Sequence, residues 1–235
     1  MKILIVNKFL HPNGGSETYI FRIGEQLEKM GHHIQYFGME HEGRIVGNRI
    51  GCYTSNMDFH TGKIAKLLYP FKIVYSIEAK KKIQRVLEDF QPDIVHINNF
   101  NFQMTPSILY GIEKYRRKNN HSLRIIYTAH DSQLVCPNHL MQQYISQQSC
   151  TKCISGSPWN CVRYKCIHGS FIKSLIAGFE AWLYRCIKPY RFIDKVICPS
   201  AFLKDKLDSR PELREKTVVM HNFVGVDTIS EKSRQ

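Results

Sequence analysis

Residues 1–37, MKILIVNKFLHPNGGSETYIFRIGEQLEKMGHHIQYF, decide the fold. Residues 2–9 are an apolar, β-branched run of strand length. Gly14-Gly15 then opens a helix whose expected N-cap is Ser16, with Glu17 complementing the positive end of the helix dipole. Ile20, Ile23, Leu27 and Met30 recur at i, i+3, i+7 and i+10, one stripe for packing on a sheet. Gly31 stands where a left-handed C-terminal cap is expected, and residues 33–37 return to extended chain. Strand, turn, helix and strand over this length form a βαβ unit, which calls for a parallel sheet.

The turn points to an anion. Two adjacent glycines leave the backbone bare, and the helix behind them offers unpaired N–H groups and a partial positive charge, a seat for phosphate. A plain tight turn explains the same pair, so Gly14 and Gly15 carry weight only in company with other residues.

The rest of the chain repeats the alternation. Residues 76–90 read as a helix stopped by Pro92, with Ile83, Val86, Leu87 and Phe90 on one face. Strands are expected at 93–97, 123–128, 194–199 and 217–221, with helices at 105–118, 171–187 and 201–208. The fold class is therefore α/β, a Rossmann-like doubly wound parallel sheet of six or seven strands over residues 1–224, with residues 225–235 as a linker or tail. Three stretches break the pattern. Residues 40–59 read as a loop with one short strand near 50–54. Residues 63–75, mixed apolar and basic around Pro70, read as two short helices or as an acceptor- or membrane-facing surface. Residues 132–169 are a cysteine-rich insertion. Helix 171–187 carries a wide apolar stripe that includes Phe171, Leu175, Phe179 and Trp182. Packing on the sheet is the expectation for it, and an anionic membrane is the alternative, given Lys165, Lys173, Arg185 and Lys188 beside it.

With 33 Lys and Arg against 20 Asp and Glu, the net charge is +13, which favours anionic partners. A hydrophobic share of 43% is enough for a proper core. No apolar run reaches the roughly 18 to 20 residues of a membrane span, and the N-terminus lacks a leader pattern. The expectation is a cytoplasmic protein, peripheral at most on the inner membrane face.

Four of the eight cysteines crowd together as Cys150-x2-Cys153-x7-Cys161-x4-Cys166. In a reducing compartment such a cluster favours metal over disulfides. Four thiolates close a tetrahedral structural zinc site, which would brace a loop without a core of its own. Unliganded buried thiols are the alternative, and Cys136 is a substitute ligand. Cys52, Cys186 and Cys198 read as core packing.

In open α/β sheets ligands bind outside the carboxyl ends of the strands. Residues 8–15, 98–101, 130–131 and 199–200 fall there. His130 can exchange a hydrogen bond with a sugar hydroxyl or a phosphate near neutral pH, while Asp131 either joins it or turns the chain. Asn98 and Asn99 offer the donors and acceptors that a polyol needs, or make a turn. His96, inside an apolar strand, reads as a hydrogen-bonded core or cleft-wall residue.

KFLHPNGGSETY (8–19), GHHIQYF (31–37), PDIVHINN (92–99), TAHD (128–131) and VICPSAFLK (196–204), in that order, resemble the N-terminal domain of glycosyltransferase family 4. These are retaining enzymes of the two-lobed GT-B fold. The resemblance spans the chain to about Val224, and the cysteine-bearing insertion looks like that of a subset of the family. It implies transfer of a sugar from a nucleotide diphosphate sugar to an acceptor hydroxyl on a glycan or lipid-linked glycan, with no catalytic metal. By the same resemblance Gly14 and Gly15 contact the donor diphosphate and His130 reaches the transferred sugar. Asn98 and Asn99 help form the acceptor side, and Asp131 is carried beside them as substrate-binding. The family's second lobe holds most of the nucleotide with a Glu-x7-Glu pair, and this sequence stops where that lobe should start. The expectation is an acceptor-side half that needs a C-terminal domain or a partner chain. Glu17 and Glu25 match the spacing but lie on the first helix and read as chance.

Two rivals remain. A zinc-braced basic module for RNA or another polyanion needs aromatics interleaved with basic residues, which are thin here, so nucleic acid is not favoured. A Rossmann-type epimerase or reductase needs G-x-G-x-x-G after the first strand, where this chain has His11-Pro12-Asn13-Gly14-Gly15.

Overall fold

The computed structural model of the chain describes residues 1–55, 74–100 and 104–223. Among these, six strands form one parallel sheet: β1 (Lys2–Val6), β2 (His33–Phe37), β3 (Ile94–Ile97), β4 (Arg124–Thr128), β5 (Lys195–Cys198) and β6 (Thr217–Val219). Their spatial order is β2-β1-β3-β4-β5-β6. The chain leaves β1 for β2 through α1 (Gly15–Lys29), then turns back across the sheet through α2 (Ile77–Phe90) and α3 (Ser107–Asn119). Parallel crossovers are right-handed, so this reversal puts α1 on one face and the later helices on the other.

Alternation along the strands feeds both faces. Ile3 and Ile5 of β1 pack with Ile20 of α1 and Tyr36 of β2. Leu4 and Val6 turn the other way, joining Val95, Ile97, Ile125 and Tyr127 under Ile83 and Leu87 of α2 and Ile108 and Ile112 of α3. Ser76 caps α2, its hydroxyl accepting from the Ala79 N–H at 3.1 Å. The register pairs Val6 with Ile97, so Asn7 and Asn98 emerge side by side where β1 and β3 end. That is the point where the strand order reverses.

Between β4 and α6 (Phe171–Ile187) the insertion contains only two short helices, α4 (Lys152–Ser155) and α5 (Asn160–Arg163), and one antiparallel bridge from Gln142 to Ser149. A 3₁₀ turn (Pro189–Phe192) leads to β5, and α7 (Ala201–Leu207) follows it, capped by Ser200.

Several expectations need correction. The N-cap of α1 is Gly14, with extended backbone and no side chain to cap with, and Ser16, inside the helix, donates its hydroxyl to Glu17. Met30 is exposed as the C-cap of α1, while Gly31 takes the left-handed conformation at φ +83°. Residues 50–54 make no strand, only a bridge from Thr54 to Met39. The apolar stripe of α6 does not lie on the sheet: the helix buries Ser174, Ala177 and Gly178 against α5, and only its end reaches the main core through Tyr184. Small residues let the two helices approach closely; a Cβ on Gly178 would stand 3.0 Å from Val162. Cys186 is exposed on the same helix, whereas Cys52 and Cys198 are buried. The readings of residues 63–73 and 225–235, and of Asn101, lie outside the described residues.

Candidate functional site

The loop after β1, the end of β3 and the end of β4 meet at one corner. Gly15 opens α1 with nothing within 4 Å of where a Cβ would stand, so the backbone there faces open space. A Cβ on Gly14 would meet only Glu17 Oε2, at 3.4 Å. Beneath the loop, Glu17 is buried, with two donors on its Oε1. Asn7 Nδ2 donates to its Oε1 at 2.8 Å, and the Ser16 hydroxyl donates to the same oxygen at 2.9 Å. Asn99 joins them, its backbone N–H donating to Asn7 Oδ1 at 3.0 Å and its Nδ2 to Ser16 Oγ at 2.9 Å. The carboxylate therefore locks the loop from below, and an anion approaching Gly14 and Gly15 must come from the open side. Lys8 brings a cation to the corner; burial lowers its pKa, and Glu17 opposes that.

Two buried atoms of this corner, Asn99 Oδ1 and His11 Nδ1, have no hydrogen-bond partner among the described residues. Such an orphan costs about 1–3 kcal/mol. A ligand hydroxyl is the kind of partner that recovers it. His11 also stacks on His41 at 3.8 Å, and burial, then His41, lower its pKa.

His130 stands across from the loop. Its Nε2 donates to Asn98 Oδ1 at 2.9 Å, which leaves Nδ1 as the acceptor of the ring. Burial lowers its pKa, with Asp131 and Glu17 pulling the other way, so at neutral pH the ring is an uncharged hydrogen-bonding group. Tyr19 of α1 lies edge-on to it with ring centroids 5.1 Å apart. Asp131 turns the chain: its Oδ1 accepts from the Gln133 N–H at 2.8 Å, and its Oδ2 lies 3.4 Å from His139 Nδ1. His96 is a core residue, hydrogen-bonded to Thr128 Oγ1 at 2.8 Å and held down to about 4 by burial. Glu25 pairs with Lys29 on the solvent face of α1, so its spacing from Glu17 joins no common site.

Gly14, Gly15, Asn98, Asn99 and His130 thus converge. Asn7, Ser16 and Tyr19 were not singled out from sequence as site residues. Asn7 had a signal, the first polar residue after a buried strand; Tyr19 faces the sheet one helical turn after Gly15 and so was open to the same inference.

The cysteines meet elsewhere. Cys150, Cys153, Cys161 and Cys166 line one small cavity together with Cys136, whose Sγ lies 2.9 Å from Asn138 Oδ1. Burial raises the Cys153 thiol to about 12 and also raises Cys136, Cys161 and Cys166, so these four are protonated thiols. No group of three His, Cys, Asp or Glu among the described residues is arranged to hold a metal ion.

The family model described as Glycosyltransferase Family 4 matches residues 13–228. The chain belongs to glycosyltransferase family 4. A relative described as an uncharacterized 42.6 kDa protein in the cps region of Klebsiella pneumoniae is 26% identical to this family 4 chain over 173 residues, covering 68% of the chain and 44% of the relative. The catalytic domain of starch synthase IV from Arabidopsis thaliana, bound to ADP and acarbose, aligns over 97% of the chain and 52% of its own length, with 11% identity and a TM-score of 0.48. HepE from Anabaena, in complex with UDP and glucose, aligns over 100% and 50%, with 16% identity and a TM-score of 0.45. This family 4 chain spans about half the length of these proteins or less. No helix among its described residues is long and apolar enough to cross a membrane.

Proposed function

We propose that this chain is the acceptor-side domain of a retaining glycosyltransferase, moving a sugar from a nucleotide diphosphate sugar to a hydroxyl of a glycan or lipid-linked glycan. The observation that carries the reading is the corner at the reversal of strand order. There the backbone at Gly15 is bare, and Asn99, tied to Ser16 through its Nδ2, leaves its Oδ1 without a partner among the described residues. The bare loop and the start of α1 suit a diphosphate, and the orphaned amide oxygen suits a sugar or acceptor hydroxyl. An uncharged His130 with Nδ1 as acceptor suits a hydroxyl of the transferred sugar. In the reaction the bond from the anomeric carbon to the diphosphate breaks and a bond to the acceptor oxygen forms on the same face. The hydroxyl proton leaves with the diphosphate.

A donor-binding C-terminal domain or a partner chain completes the site in this reading, and the inner face of a membrane supplies a lipid-linked acceptor. The relative from a cps region favours a place in polysaccharide biosynthesis. The test is transfer from a panel of UDP-, GDP- and ADP-sugars by the full-length gene product and its Gly15→Trp variant. The new ring projects into open space, so the melting temperature should hold while kcat/KM falls on the order of 10²-fold. Unchanged transfer would remove the phosphate role of the loop.

A further inference from the structure

The largest misfit between residue type and surroundings lies on α6. Phe171, Leu175, Phe179, Trp182 and Cys186 fall at i, i+4, i+8, i+11 and i+15, and Ile172 flanks them; at 3.6 residues per turn they span an arc of about 100°. All of them are exposed, Ile172 at 69% and Phe171 at 55%. The stripe continues onto the insertion. Exposed Trp159 stands 6.5 Å from Trp182 between ring centroids, and Phe179 stands 5.6 Å from Trp182. A contiguous apolar and aromatic strip of this kind is not left to water without a partner.

Charge says which partner. From residue 132 to residue 193 the sequence holds seven Lys and Arg and a single acid, Glu180. Burial raises Glu180 to about 8, so it brings no negative charge at neutral pH. Exposed Lys165 and Lys188 bracket the two ends of the helix, and exposed Lys152 lies over the Tyr164 ring at 5.2 Å on the insertion. The nearby Glu212 is paired with Arg210 at 3.2 Å. An apolar helix face with tryptophans and a predominantly cationic border matches an anionic lipid surface, where rings enter the headgroup region and ammonium groups meet phosphate.

We infer that α6, together with Trp159, is an interfacial helix that seats this chain on an anionic bilayer. The inference stands apart from sugar transfer, because seating needs no donor or acceptor. The molecule carries its own probes: the chain has two tryptophans, Trp159 and Trp182, and both lie on the strip. Adding vesicles of phosphatidylcholine with 30% phosphatidylglycerol should shift their emission to the blue and carry the protein into the pellet, with at least tenfold weaker binding to pure phosphatidylcholine. Raising salt should weaken the binding. Ile172→Ser with Phe179→Ser keeps both tryptophans, changes only exposed positions, and should cut partition at least tenfold with the melting temperature held. Lys165→Glu with Lys188→Glu should weaken binding and flatten its salt dependence, which keeps the test decisive if the first pair misfolds. No shift on anionic vesicles, equal partition of both variants, or a lipid-free emission shift that tracks dimerisation in sedimentation would each overturn the inference.

Discussion

The corner at the end of β1 and the insertion with α6 distribute polarity in opposite ways. At the corner, polar side chains go inside: Asn7, Glu17 and Asn99 share hydrogen bonds beneath an open loop, and Asn98 accepts from His130 beside them. At the insertion, thiols go inside and large apolar rings go outside. The first arrangement is fixed by the register of the sheet, since each of its residues lies at or just beyond a strand end or in the first turns of α1. The second has a core of Cys153, Cys161, Cys166 and Ala177, with Tyr164 and Ile167 packed against it, which is little for a segment of this length. A region so thinly filled needs support that side-chain packing does not supply. A lipid surface on the outside is one support its exposed rings suit; inside, the thiols are not arranged to hold a metal as they stand, so zinc there requires them to close up.

The largest expected effect therefore concerns the metal. Five cysteines line one cavity, and structural zinc contributes about 10 kcal/mol or more in small metal-folded units. Elemental analysis of purified protein should find about one zinc per chain, with the sulfurs drawn closer than in the described arrangement. Stripping the metal should loosen the insertion, read as a red shift of Trp159 emission. Burial raises the Cys153 thiol to about 12, so binding must displace protons and should weaken as pH falls. Metal-free protein with the same stability with and without chelator would show that packed thiols suffice, and the comparison would lose its inner support.

The next effect belongs to the other region and depends on pH. His96 is buried between Thr128 and Tyr19, and burial, then His130, holds it at about 4 against an ordinary 6.5. Below pH 6.5 the unfolded chain takes a proton that the folded chain refuses until about pH 4. Stability is therefore present above pH 6.5 and is lost as pH falls through that window, by about 3 kcal/mol. Urea denaturation of wild type and His96→Gln across pH 4 to 7 should show the slope in wild type alone. Parallel curves would mean that water reaches the ring and that the wall beside His130 is wetter than its burial indicates.

Period and punctuation in the sequence carried most of the fold. Gly31, Ser76 and Pro92 mark ends that the structure keeps, and the reversal after the first βαβ unit follows from strand order and right-handed crossovers. Gly14, Gly15, Asn98, Asn99 and His130 were readable because strand ends in a parallel sheet point to one edge. What could not be read is which face of an amphipathic helix is covered. The periodicity of α6 is that of a helix on a sheet, yet Ser174, Ala177 and Gly178 take the inside because small residues permit close approach to α5. Likewise the Ser16 hydroxyl was as able to cap α1 as to meet Glu17, and only the arrival of Asn99 from β3, 83 positions away, decides between them.

The smallest effect tests whether α6 carries a negative charge beside its Lys173 and Arg185. Glu180 lies in a cavity wall with Tyr184, Arg185 and Arg210, and burial raises it to about 8 from 4.5. As pH rises above 4.5 the unfolded chain gives up its proton first. The folded state is then penalised until about pH 8, so this group's share of stability is whole below 4.5 and lost on the way up. Glu180→Gln keeps the shape and removes the titration. Its gain over wild type should be nil at pH 4.5 and reach about 2 kcal/mol near pH 8, a figure reduced for the carboxyl's partial exposure. Equal stability at both ends would mean a solvated, ionised carboxylate beside the aromatic strip. A fixed negative charge there would repel anionic lipid, and the outward-facing rings of α6 would then call for a different partner from the one their cationic border selects.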